Sequence, residues 1–83
     1  MALKFHPHSR LRMIERGASI EEVELTVAIG ERFTAKFERM GFRKNFIFNS
    51  VWLDKLYSTK QIEVYAISEE DDLIILTVIV KYF

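Results

Sequence analysis

The chain has 83 residues, 49% hydrophobic and 29% charged, with a formal net charge of zero and no cysteine. That length makes one domain, 1–83, and the apolar content is too high for a disordered chain. Disulfide and cysteine–zinc frameworks are excluded, and the neutral balance argues against strong non-specific binding to nucleic acid.

The neutrality is unevenly spread. Residues 1–16 and 31–60 are net basic, while 17–30 and 61–83 are net acidic. This leaves room for a local phosphate site. The longest apolar run, Leu73–Val80, falls well short of the roughly 20 residues a spanning helix needs. The N-terminal residues carry Lys4 and His6-Pro7-His8 but no apolar leader core. A soluble, cytoplasmic protein without membrane contact is expected.

In chain order, Leu3 and Phe5 are expected to pack under a first helix. Pro7 suits its start, because the missing N–H would be unpaired there anyway. The helix runs to about Arg16 and stops at Gly17, a good left-handed C-terminal residue. Leu11 and Ile14 give it a face to bury. His8, Arg12 and Arg16 lie four residues apart, so they share a face. They form a cationic stripe about 12 Å long at about 1.5 Å per residue.

Ser19-Ile20-Glu21-Glu22 is a capping-box pattern. It opens a second helix over about 20–29, ended by Gly30. Ile20, Val23 and Val27 share one face and Leu25 and Ile29 another, which predicts cover on two sides. The short turn between the helices makes them packed neighbours.

From Glu31 the period changes to two. Phe33, Ala35 and Phe37 alternate with polar residues, Met40-Gly41 reads as a turn, and Phe42, Phe46 and Phe48 share a face of a second strand. Asn49 to Thr59 reads as a loop held down by Trp52, Leu56 and Tyr57. Lys60–Ser68 alternates again with Ile62, Val64 and Ala66 inward. Glu69-Glu70-Asp71-Asp72 is a polar turn. Leu73–Phe83 is a long strand with little alternation, either central or edged into a partner. Helices followed by strands predict α+β: a two-helix hairpin packed on a four-stranded twisted antiparallel sheet.

At His8-x-x-x-Arg12-Met13-x-x-Arg16-Gly17, then Ser19-Ile20-Glu21-Glu22-Val23 and the closing Ile75-Leu76-Thr77-Val78, the chain resembles a small prokaryotic family of unknown function. That family is grouped with the RelE/ParE-type toxins of toxin–antitoxin systems. The resemblance implies the RelE/ParE-like fold. It also implies a toxin-like role, with metal-independent RNA cleavage as the candidate activity and an antitoxin protein and RNA as partners. The chain departs from the basic character of such ribonucleases by being neutral.

Cleavage by 2′-hydroxyl attack needs an acid, a base and donors for the phosphorane charge. His8 is the candidate acid or base. Arg12 and Arg16 are candidate phosphate forks. Lys60, Lys81 and Tyr82 are candidate substrate-binding residues, the tyrosine by stacking on a base. The competing structural reading has His8 capping the helix, Arg12 paired with Glu15 and Arg16 with an acid of the second helix. His6 and His8 fall on opposite sides of an extended segment, and no metal-ligand motif or cofactor loop is present. Cofactor and metal are both expected to be absent.

The alternative function is a non-catalytic binding or accessory domain of the same fold, with the basic stripe as a docking surface. Leu73–Phe83 is the expected contact for a homodimer or a hetero-complex.

Overall fold

The structure is a computed structural model and describes residues 2–83. Two helices, α1 (Pro7–Arg16) and α2 (Ile20–Ile29), lie on a five-stranded sheet of β1 (Leu3–Phe5), β2 (Glu31–Thr34), β3 (Met40–Trp52), β4 (Lys55–Glu69) and β5 (Asp72–Tyr82). The α+β class is as expected, but the sheet is not four-stranded and antiparallel. Its order is β1-β5-β4-β3-β2, and β1 runs parallel to β5 with Leu3 opposite Leu73. Leu3 and Phe5 therefore enter the sheet, in a strand too short to display a period of its own.

Both helices have the expected ends. Pro7 takes the first position of α1, and Gly17 closes it at φ 79°. The capping box of α2 is complete: Ser19 accepts from the Glu22 N–H, and Glu22 accepts from the Ser19 N–H. The α1 cap is His6, whose Nδ1 accepts from the His8 N–H at 3.1 Å.

The buried faces differ from those expected. In α1, Ser9 and Met13 face the sheet, whereas Leu11 and Ile14 are exposed. In α2, Val23 and Thr26 are fully buried, but Leu25 and Ile29 face outwards, so cover comes from one side only. Thr26 tolerates the core because its hydroxyl donates to the Glu22 carbonyl at 2.7 Å. The core comprises Met13, Val23, Phe42, Ile62, Val64, Ala66, Leu73, Ile75 and Val78. Each fully buried aliphatic side chain among them contributes about 1.5–3 kcal/mol.

Three irregularities decide where side chains point. The β2–β3 connection is a 3-10 turn, Lys36–Glu38, with Phe37 and Glu38 at φ 61° and 59°. The turn thus falls before Met40-Gly41, which lie inside β3. Next, β3 and β4 run through 49–59 as one hairpin, broken by a bulge between Ile47 and Ser50 and closed by Leu53-Asp54, both at positive φ. The expected loop is therefore two strands. Finally, Tyr65 pairs with Thr77 but Ala66 with Ile75, so Leu76 is an extra residue in β5. That shift in parity removes the alternation from β5.

Candidate functional site

The predicted stripe divides between the two ends of α1. At its C-terminal end, Arg16 donates from Nη1 to the Val78 carbonyl at 2.7 Å. The Tyr82 hydroxyl donates to the Arg16 carbonyl at 2.7 Å. Lys60 donates to the Gly17 carbonyl and pairs with Glu22 at 2.8 Å. Trp52 stacks on Tyr82 with centroids 4.9 Å apart, and Phe48 and Tyr57 close around it. Arg16, Lys60 and Tyr82 therefore meet, as Lys60 and Tyr82 are register partners on the helix face of the sheet. They meet as a clamp on the α1–α2 turn, with their polar groups bonded inside the protein. Burial and the nearby Glu22 carboxylate both raise the Tyr82 phenol above its ordinary value.

Arg12 lies between the two ends and pairs with Glu15 at 3.1 Å, as in the structural reading of the sequence. Arg16 pairs with a strand carbonyl rather than with an acid of α2. Lys81 projects on the opposite, helix-free face, 3.7 Å from the Glu63 carboxylate.

Glu63 is almost fully buried on that open face. Arg43 donates to it at 2.8 Å and the Tyr65 hydroxyl at 3.3 Å, while Arg43 also reaches Glu31 at 2.9 Å. Burial alone would raise the Glu63 carboxyl. The Arg43 hydrogen bond and the Lys81 and Arg43 charges outweigh burial and hold the carboxyl below the usual range. Burial and Glu63 together raise the Tyr65 phenol, which keeps it a neutral donor.

Beside this network lies a cavity of about 390 Å³ lined by Ala35, Lys36, Phe37, Arg39, Tyr65, Thr77 and Ile79. A second cavity of about 300 Å³ shares Arg39 and Thr77 with it and adds His6, His8 and Leu76. Together they form a trough across the end of the open face. The Leu76 bulge brings Thr77 into its wall, and the left-handed turn holds Phe37 82% exposed at its mouth. Among the described residues, neither Lys36 nor Arg39 has a carboxylate within 4 Å. His8 thus belongs with Arg39, not with Arg12 and Arg16.

His6, Lys36, Phe37, Arg39 and Tyr65 carry no sequence motif that marks them. The signal that existed was His6-Pro7-His8: Pro7 starts the helix at once, which turns both imidazoles towards one cavity. The bond accepted at His6 Nδ1 leaves Nε2 as the ring nitrogen without a partner in the α1 cap.

Among the described residues, no group of three or more His, Cys, Asp or Glu side chains is placed to hold a metal ion, and no helix is long and apolar enough to cross a membrane. No family model, no curated protein and no solved structure matches this chain.

Proposed function

We propose that the chain is a toxin-like protein of a toxin–antitoxin pair that binds RNA in the trough and cleaves it without a metal. The observation that supports this is the gathering, in two cavities with a common wall, of two cations without a carboxylate partner among the described residues, two imidazoles and two aromatic rings, with Arg39 over the Phe37 ring. Arg39 supplies a fork for one phosphate and Lys36 a point charge for its neighbour. Phe37 and Tyr65 offer stacking surfaces of the kind that take unpaired bases. His8 moves the proton: as base it takes it from the 2′-hydroxyl, whose oxygen bonds to phosphorus while the P–O5′ bond breaks and the departing 5′-oxygen takes a proton from water. The His6 Nε2–H and Arg39 donate to the charge that grows on the phosphate oxygens.

A second reading is favoured by the internal bonds of Arg12, Arg16 and Lys60. Those bonds leave the stripe little chemistry to offer, which fits a non-catalytic accessory module, but they also take the stripe away as its docking surface.

Induced expression with transcript mapping, together with a fluorescent single-stranded RNA in chelator, separates the two. Growth arrest and cleavage are expected. His8→Ala should lose about 10²–10⁴ in rate with RNA affinity kept, and Arg39→Ala should weaken binding and reduce its salt dependence. Binding without cleavage or growth arrest leaves the accessory reading, and no RNA binding at low salt ends the RNA-cleaving one.

A further inference from the structure

β3 is a 13-residue strand, and its outer neighbour β2 covers only Met40–Arg43. The Arg39 carbonyl accepts from the Ala35 N–H at 2.9 Å on that outer side. Backbone groups of alternate residues point to the same side of a strand. Gly41 and Arg43 therefore turn outwards to β2, and Asn45 and Ile47 turn outwards beyond its end. Among the described residues no strand lies there, and the bulge after Ile47 ends the stretch. The Ile47 side chain is 90% exposed. Lys44 stands at the opening of this edge, with its ammonium 3.5 Å from the Asn45 carbonyl. Among the described residues no carboxylate lies within 4 Å of it.

We propose that the free edge at Lys44–Phe48 binds an extended, acidic segment of another protein as a sixth strand. The N–H and C=O groups of Asn45 and Ile47 supply four ladder hydrogen bonds, and Ile47 supplies an apolar neighbour for an aliphatic side chain. When a strand N–H takes the Asn45 carbonyl, the Lys44 ammonium is released towards a carboxylate on the segment. An edge lysine is a device against pairing with the wrong chain. A second copy of this chain brings Lys44 to the same edge, where the nearest acid, Glu31, is already paired with Arg43, so like charges oppose self-pairing. An acidic segment turns the same lysine into an attraction. This inference does not depend on the RNA reading.

The test uses the whole protein and three heptapeptides: glutamate alternating with valine, lysine alternating with valine, and the glutamate peptide N-methylated at alternate residues. Amide shifts and hydrogen exchange are followed to millimolar peptide. The glutamate peptide should shift and protect the Asn45 and Ile47 amides, and the other two should not. Ile47→Pro removes one outward N–H and should abolish binding, and Lys44→Glu should weaken it at least tenfold while admitting the lysine peptide. Should Ile47→Pro fail to fold, the N-methylated peptide makes the same test from the other strand. No shift with the glutamate peptide, equal binding of either control to the native protein, or protection that rises with protein concentration alone would overturn the proposal.

Discussion

Arg16 reaches from the last turn of α1 to the carbonyl of Val78, on the outer side of β5 beyond the end of β1. A guanidinium with the look of a phosphate ligand is thus a cap on a strand edge. Arg16→Ala should lower stability by about 1.5–3 kcal/mol, the range for a hydrogen bond to a charged donor. Urea unfolding checks this, and Arg16→Lys should recover part of the loss.

Lys60 and Glu22 should behave as one unit. The Lys60 side chain is 8% exposed and that of Glu22 is 24% exposed. Lys60→Met should cost towards the lower end of about 3–5 kcal/mol, because it strands a half-screened carboxylate. Adding Glu22→Leu should restore part of that stability, less the loss of its bond from the Ser19 N–H, a non-additivity that a double-mutant cycle in denaturant would read.

Acid should weaken the open face through Glu63. Its carboxyl titrates lower in the folded protein than in the unfolded chain. Its contribution is therefore complete above the unfolded value of about 4.3 and is lost as pH falls through the folded value. Glu63→Gln should be less stable at neutral pH, and its stability should fall less steeply between about pH 5 and 3. Thermal melts across that range provide the comparison.

Gly17 is held at φ 79°, and an added Cβ would lie 2.7 Å from the Tyr82 hydroxyl oxygen and 2.8 Å from the Trp52 ring. Gly17→Ala should cost more than the left-handed backbone penalty of about 1–2 kcal/mol, since the ring stack must also move. A lower melting temperature with a changed tryptophan emission is the expected signature.

The helices and the polar turn before β5 were legible because their determinants are local: a proline start, a capping box, glycine ends and an acidic run. The rest depended on partners distant in the chain. Gly41 looked like a turn, but it is small because the Phe33 ring lies 2.3 Å from where a Cβ would stand. Leu53-Asp54 makes a mirror-image two-residue turn without the usual glycine or asparagine, so two strands read as a loop. The Leu76 bulge hid the period of β5. At the candidate site, His8 is singled out in the sequence by its residue type alone. Arg39 carries no such mark, because only the turn and the bulge bring it beside the imidazoles.

The strand order also imposes a timetable on synthesis. Among the described residues β1 pairs only with β5, which leaves the ribosome after the other four strands of the sheet. Until it arrives, Leu3–Phe5 has no strand to join, and Arg16 and Tyr82 cannot make the bonds that link α1 to β5. Local helices can form early, but closing the sheet waits for contacts between near-opposite ends of the chain, the kind that slow folding most. Over that interval the unfinished edge of β4 is the surface most exposed to the wrong neighbour, and there a chaperone would have the most to protect.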